Sequence, residues 1–139
     1  TIITPHAGEF KRIFNEEVGI SEEDIISSVS RMASRHKITI ILKGWLNVIA
    51  DPSGKVATIR RSTPAMTVGG TGDVLAGLVT ALYSKINSAF DASALGIYFN
   101  GLAARLAFER VGLHMVATDL IENLPKVMMP FDKISSEKI

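Results

Sequence analysis

The segment that most restricts the fold of this chain is a glycine-rich run at residues 68–75, which leads directly into an apolar, helix-prone stretch. Gly69, Gly70 and Gly72 allow backbone conformations closed to other residues, so N–H groups can gather around an anion. A helix that begins there adds unpaired N–H groups and the positive end of its dipole. Asp73 would then lie beside a phosphate-binding loop as a potential general base. An ordinary tight turn before a helix fits the same run, and the run alone does not decide between the two.

Length and composition indicate a single domain, or part of one, over residues 1–139. A chain of 139 residues that is 47% hydrophobic can bury one substantial core. The net charge is +1 and the basic residues are scattered, so nucleic acid is not an expected partner. The longest uncharged run, residues 92–104, is too short to cross a bilayer, and a membrane is not an expected partner either. Cysteine is absent, which excludes disulfides and thiolate chemistry, and we expect a cytoplasmic protein. Because the chain opens on an apparent core strand without Met, we expect it to belong to a longer polypeptide.

Strand-like and helix-like segments alternate along the chain. Apolar and β-branched runs predict strands at residues 1–4, 38–42, 47–50 and 56–59, and the turn residues 51–54 predict a hairpin between the last two. Helical spacing predicts helices at residues 10–18, 22–37, 74–83 and 88–110, and a short one at 118–124 that Pro125 ends. Residues 62–72 are expected to form a loop and residues 133–139 a frayed tail. This alternation favours an α/β sheet covered by helices.

Further blocks of sequence surround the glycine run. They are Thr4-Pro5-His6-Ala7-Gly8-Glu9-Phe10, Leu42-Lys43-Gly44, residues 66–77 and residues 96–103, followed by Ala117-Thr118-Asp119-Leu120-Ile121. In this order they closely resemble the nucleotide-dependent NAD(P)H-hydrate dehydratases of the ribokinase-like superfamily, up to about residue 125. The resemblance implies a three-layer αβα fold with a mostly parallel sheet and a hairpin. It implies only part of that domain, since the family's amino-terminal half has no counterpart here.

The resemblance also implies roles for individual residues. Asp73 is the expected catalytic base, and His6 and Asp73 are the expected contacts of the NAD(P)H hydrate. The expected nucleotide-binding residues are Lys43, Gly44, Trp45, Leu46, Asn47 and Gly72, and the expected anion hole consists of Gly70, Thr71 and Gly72. The implied reaction dehydrates NADH or NADPH hydrate while ADP, or ATP in its place, gives up phosphate. Mg²⁺ is expected as the companion of the nucleotide, with no protein metal site, and a homo-oligomer is expected.

Several alternatives stay open at this level. His6 could simply cap the helix that follows it, and Lys43 could be a surface lysine before a glycine turn. Trp45-Leu46-Asn47 departs from the residues common in the family at that place, and Asn100 replaces a frequent histidine. The chain could instead be a small-molecule kinase of the same superfamily that phosphorylates a hydroxymethyl group. It could also be a catalytically incomplete fragment that acts as a subunit.

Overall fold

The computed structural model describes residues 1–61 and 63–132, which contain both strands and helices, as the sequence predicts. The strands are β1 (Ile2–Ile3), β2 (Thr39–Leu42), β3 (Leu46–Ala50) and β4 (Val56–Arg60). The helices are α1 (Ala7–Phe14), α2 (Glu22–His36), α3 (Thr71–Ile86), α4 (Ala89–Val111) and α5 (Ala117–Met128). Short 3₁₀ segments lie at Pro64–Thr67, Gly112–His114 and Met129–Phe131. The predicted frayed tail, and Ser62 of the predicted loop, lie outside the described residues.

The described strands form one mixed sheet in the order β1-β2-β3-β4. β1 and β2 are parallel, with Ile3 opposite Ile40, whereas β2 pairs with β3, and β3 with β4, in antiparallel fashion. The α/β class is confirmed, but the expectation of a mostly parallel sheet is corrected for this part of the chain. The reason is local, because Gly44 and the turn at residues 51–54 reverse the chain within a few residues. Connections that short join antiparallel strands.

The predicted hairpin is organised by Asp51. Its Oδ1 accepts hydrogen bonds from the N–H groups of Ser53 and Lys55, at 2.9 and 3.0 Å, and from the Ser53 hydroxyl at 2.7 Å. Burial raises the pKa of Asp51, but these hydrogen bonds and the nearby Lys55 ammonium outweigh that effect and leave the pKa below its ordinary value. The turn thereby sets the register of the hairpin, with Ala50 opposite Val56.

Helices cover both faces of the sheet. On one face a core cluster joins β2 and β3 to α1 and α2, and its members include Phe10, Val29, Met32, Ile40 and Leu42. On the other face a second cluster joins the same strands to α3 and α4, and its members include Ile41, Ile49, Leu75, Val79 and Ile97. Successive residues of β2 therefore point to opposite clusters, as in a strand covered on both sides. The predicted three-layer arrangement is confirmed.

The helices α3 and α4 approach each other closely at Gly96. A Cβ at this position would lie 2.4 Å from Cγ2 of Val79, closer than two carbon atoms can come. The neighbouring small residues Ala92, Ala103 and Ala104 are fully buried, as the sequence predicts for a helix with close neighbours. Over residues 1–61 and 63–132, none of the helices combines the length and apolarity that a membrane crossing requires.

Two helices next to the predicted site have other bounds than expected. α1 ends at Phe14 instead of residue 18, because Asn15 adopts the left-handed conformation, with φ of +53°, and closes the helix before Gly19 is reached. α3 begins at Thr71 within the predicted loop, so Gly70 caps the helix and the second half of the glycine run forms its first turn.

The helix α5 passes through Pro125, which was predicted to end it, and continues to Met128. Proline donates no hydrogen bond to the preceding turn. The turn beyond it buries Val127, which is 8% exposed, in a cluster with Phe99 and Ala103 of α4. This packing compensates for the missing hydrogen bond, and sequence spacing alone does not reveal it.

Candidate functional site

Three segments of the chain meet at one edge of the sheet. Because β1 and β2 are parallel, their carboxyl ends lie side by side, and His6 follows β1 while Lys43 follows β2. The Lys43 N–H donates to the Pro5 carbonyl oxygen at 2.8 Å, and His6 pairs with Lys43 in a parallel bridge. The N-terminus of α3 lies against Lys43. Open α/β sheets bind their ligands at this edge.

The glycine run holds the start of α3 tightly against its surroundings. Gly70 has a φ of +88°, and a Cβ there would lie 2.9 Å from the Cβ of Ala117, so both conformation and space require glycine. Thr71 is buried, and its hydroxyl lies 3.0 Å from the carbonyl oxygen of Met66 and 2.9 Å from that of Val68. The first helical hydrogen bonds come from the N–H groups of residues 73 and 74 to the Gly70 carbonyl oxygen. The N–H groups of residues 71 and 72 precede them and are available to a ligand.

Lys43 lies over this first turn of α3. A Cβ at Gly72 would be 3.1 Å from the Lys43 Nζ, so the missing side chain makes room for the ammonium group. The Lys43 side chain is 26% exposed, and its Nζ lies 3.6 Å from Oε2 of Glu9. An ammonium group and the unpaired N–H groups of a helix N-terminus therefore face the same space. This arrangement attracts phosphate.

His6 and Glu9 form the capping box of α1. The Glu9 N–H donates to His6 Nδ1 at 3.1 Å, and the His6 N–H donates to Glu9 Oε2 at 2.7 Å. The His6 N–H lowers the pKa of the Glu9 carboxyl; burial opposes this and the Lys43 ammonium adds to it, so the pKa stays below its ordinary value. The capping alternative for His6 is thus confirmed, and its side chain remains 52% exposed. Because Nδ1 accepts, the neutral ring carries its proton on Nε2.

Two clefts adjoin the contact between Lys43 and Gly72, and both residues line each of them. The first has a volume of about 420 Å³ and is also lined by Asp73, Glu9 and Arg12; we call it the Asp73 cleft. The second, of about 250 Å³, is also lined by His6, Asn47, Thr71 and Asn100; we call it the Asn100 cleft. The Asn100 cleft shares lining residues with an apolar pocket of about 170 Å³ beside β4 and α4.

The predicted site residues divide between these clefts. His6, Lys43, Gly44, Asn47, Thr71 and Gly72 line the Asn100 cleft, and Lys43, Gly72 and Asp73 line the Asp73 cleft. His6 and Asp73 therefore lie on different sides of the Lys43–Gly72 contact. Among the described lining residues of either cleft, Trp45, Leu46 and Gly70 do not occur. The Trp45 ring is 47% exposed beneath the Arg60 guanidinium, and the Leu46 side chain belongs to the core.

Three polar residues to which the sequence assigned no role also line the clefts. Arg12 lines the Asp73 cleft, and Arg61 and Asn100 line the Asn100 cleft. Asn100 is 3% exposed, and among the described residues its Oδ1 has no hydrogen-bond partner. Arg12 lies three residues after Glu9, so helical spacing could have placed both side chains on the same side of α1. No local signal identifies Arg61 or Asn100, which come from distant parts of the chain.

The chain resembles known proteins over nearly all of its length. Residues 1–126 match the family of NAD(P)H-hydrate dehydratases. The ADP-dependent (S)-NAD(P)H-hydrate dehydratase of Cenarchaeum symbiosum is 47% identical over 133 residues, which cover 96% of this chain and 46% of that protein. The ADP/ATP-dependent NAD(P)H-hydrate dehydratase of Bacillus subtilis, co-crystallised with ATP and Mg²⁺, superposes with a TM-score of 0.86 at 30% identity and covers 94% of this chain and 48% of that one.

A ribokinase-like superfamily protein from Enterococcus faecalis has the same fold, with a TM-score of 0.77 at 23% identity over 96% of this chain and 45% of that one. The chain spans about half the length of the proteins that it matches. The ribokinase-like fold and the family that the sequence blocks imply are both confirmed. The chain belongs to the NAD(P)H-hydrate dehydratase family.

Proposed function

We propose that this chain carries out the nucleotide-driven dehydration of NADH or NADPH hydrate to the reduced dinucleotide. The observation that carries the proposal is the contact between Lys43 and Gly72, which places an ammonium group at the N-terminus of α3 between two clefts. This geometry suits the transfer of a phosphoryl group from a nucleotide on one side to a hydroxyl group on the other. Family membership supports the hydrate of dihydronicotinamide as the substrate that carries this hydroxyl group.

The Asn100 cleft is the proposed nucleotide site. The phosphates would lie at the Lys43 ammonium and the first N–H groups of α3, and the nucleoside would extend towards the apolar pocket beside Asn100. Gly72 supports this fit, because any side chain there would fill the space next to the ammonium group. Leu46 would contribute through the main chain, since its side chain is buried in the core, and so would Trp45, whose ring lies beneath the Arg60 guanidinium and is absent from the described lining of both clefts. ADP is the proposed co-substrate, and the relatives from Cenarchaeum symbiosum and Nitrosopumilus maritimus are named ADP-dependent.

Mg²⁺ would come to the site with the nucleotide. Within residues 1–61 and 63–132, no three His, Asp or Glu side chains are placed to hold a metal ion together. Lys43 and the N-terminus of α3 fit the phosphates instead. When bound to phosphate oxygens, Mg²⁺ neutralises part of their negative charge and eases attack at phosphorus.

Asp73 is the proposed base. Its side chain is exposed and lines its cleft, where it would accept the proton of the hydrate hydroxyl as that oxygen attacks the terminal phosphorus of ADP and AMP leaves. The lone pair of the ring nitrogen then expels phosphate as the carbon–oxygen bond breaks, and loss of a proton from the neighbouring carbon restores the dihydronicotinamide. The exposed ring of His6, across the Lys43–Gly72 contact, is the proposed second contact of the hydrate.

The proposal includes a homo-oligomer that works in the cytoplasm, where its dinucleotide substrates occur. Large apolar side chains at the surface support the oligomer: Leu113, Met129 and Phe131 are 69%, 66% and 59% exposed. Sedimentation equilibrium measures the oligomeric state directly. A monomer at micromolar concentration would contradict this part of the proposal.

The test of the proposed reaction is incubation of the chain with hydrated NADH, Mg²⁺ and either ADP or ATP. We expect the dihydronicotinamide absorbance to return, with one nucleotide phosphate released per molecule repaired. A stable phosphorylated product without that return would indicate the kinase alternative. No reaction with either nucleotide would refute the activity for this chain and favour the incomplete-subunit alternative.

A further inference from the structure

We infer that Arg12 binds a phosphate group of the hydrated dinucleotide in the Asp73 cleft. This inference rests on the proposed function, in which that cleft receives the hydrate. Arg12 lies in the second turn of α1 and lines the cleft together with Lys43 and Asp73. Its ligand would be the phosphate oxygens that join the two halves of the dinucleotide.

The Arg12 guanidinium is anchored at one nitrogen and open at the others. Its Nε donates to the Gly8 carbonyl oxygen at 3.2 Å, one turn back along α1. This hydrogen bond directs the side chain towards the N-terminal end of α1, which faces the site. The terminal nitrogens then form a fork whose spacing matches two oxygens of a phosphate group.

Two carboxylates close to Arg12 in the sequence are engaged elsewhere. Glu9, one turn before it, accepts a hydrogen bond from the His6 N–H at 2.7 Å and lies 3.6 Å from the Lys43 Nζ. Glu16, four residues after Arg12 and beyond the end of α1, forms an ion pair with Arg31. Among the described residues, no carboxylate lies within ion-pair distance of Arg12. A cation at the wall of a cleft is thus left for an anion from solution.

The position of Arg12 selects the hydrate over the nucleotide as its ligand. Lys43 lines both clefts and is partly neutralised by Glu9, whereas Arg12 lines the Asp73 cleft and is absent from the described lining of the Asn100 cleft. A phosphate that reaches Arg12 therefore comes with the molecule that presents its hydroxyl to Asp73. An arginine that is simply solvated on a helix surface would not favour binding of the hydrate over binding of the nucleotide.

The experiment measures dissociation constants by isothermal titration for wild type, Arg12→Gln and Lys11→Gln with three probes. The probes are hydrated NADH, hydrated reduced nicotinamide riboside, which has no phosphate, and ADP. Lys11→Gln is the matched control, because it removes the same charge from the adjacent position of α1. Lys11 itself is paired with Glu17 and does not appear in the described lining of the cleft.

We expect Arg12→Gln to weaken binding of hydrated NADH about tenfold, as for the loss of a charge-assisted hydrogen bond in a partly solvated site. Binding of the riboside hydrate and of ADP should stay at the wild-type value, and Lys11→Gln should change none of the three. Equal effects of both variants, an unchanged affinity for hydrated NADH, or a loss of ADP affinity in Arg12→Gln would overturn the inference.

The two proposals fail separately. Arg12-dependent binding of hydrated NADH without any dehydration, with ADP or ATP, would leave the inference standing and refute the proposed reaction. Dehydration by the wild type, together with equal affinities of wild type and Arg12→Gln for hydrated NADH, would refute the inference alone.

Discussion

The substitution Gly72→Ala tests the proposed phosphate site with the smallest possible change. The added Cβ would lie 3.1 Å from the Lys43 Nζ and 3.9 Å from its Cδ. Both atoms belong to the flexible end of a side chain, so the ammonium group can move by a few tenths of an ångström while the backbone stays in place. The fold should therefore be retained and phosphate binding weakened.

The expected magnitude follows from the contacts involved. A charge-assisted hydrogen bond contributes about 1.5–3 kcal/mol, so displacement of the ammonium group should weaken ADP binding about tenfold to a hundredfold. Alanine is intrinsically more favourable than glycine in a helix by up to about 1 kcal/mol, so the free energy of unfolding should not fall. Isothermal titration with ADP and Mg²⁺ and urea unfolding measure the two quantities.

Gly77→Ala is the matched control for this substitution. Gly77 lies in the same helix and is exposed, and a Cβ there would meet nothing within 4 Å. Gly77→Ala should bind ADP as the wild type does and unfold at a slightly higher urea concentration. The reasoning is refuted if Gly72→Ala binds ADP with wild-type affinity, or if it loses binding only because it unfolds.

The remaining predictions concern stability. Gly96→Ala should reduce the free energy of unfolding by about 1–3 kcal/mol, because its Cβ would overlap Val79 Cγ2 at 2.4 Å. Urea unfolding should show that adding Val79→Ala restores part of this loss. Losses that simply add in the double variant would contradict the overlap. Asp51→Ala should cost about 1–2 kcal/mol at neutral pH through the lost turn hydrogen bonds. Because the folded pKa of Asp51 is lowered, its stabilising contribution is complete above the unfolded pKa of about 4 and is lost as the pH falls through the folded value. Unfolding measured from pH 7 downwards should show the difference between wild type and variant shrink below about pH 4, and a constant difference would refute this account.

The elements that the sequence predicted well are those whose cause lies in neighbouring residues. The hairpin follows from the hydrogen bonds that Asp51 makes within its own turn, and the start of α2 follows from Ser21, whose hydroxyl accepts from the Asp24 N–H. Buried β2 was visible as an uninterrupted apolar run. In each of these cases, local chemistry and tertiary packing favour the same structure.

One error arose from distant packing, and the others arose from local backbone geometry that helical and strand periodicity does not report. Packing of Val127 carries α5 beyond Pro125, and the left-handed conformation of Asn15 ends α1 early. Mixed strand directions followed from how the hairpin adds to β2, which periodicity does not report.

The candidate site shows the same division between local and distant causes. The glycine run and the histidine cap were visible in the sequence, but the contact of Lys43 with Gly72 joins residues far apart in the chain. Its expectation rested on family resemblance. Arg61, just after β4, and Asn100 of α4 line the same cleft from distant parts of the chain and carried no local signal.

The central claim is that Asp73 removes a proton from a hydroxyl group while the Lys43–Gly72 contact holds the phosphate being transferred. The most direct measurement compares wild type and Asp73→Asn in a single-turnover reaction with hydrated NADH and ADP, together with ADP affinity. We expect Asp73→Asn to retain ADP binding and to regain dihydronicotinamide absorbance about a hundredfold to ten-thousandfold more slowly. An Asp73→Asn variant that repairs the hydrate at the wild-type rate would contradict the account.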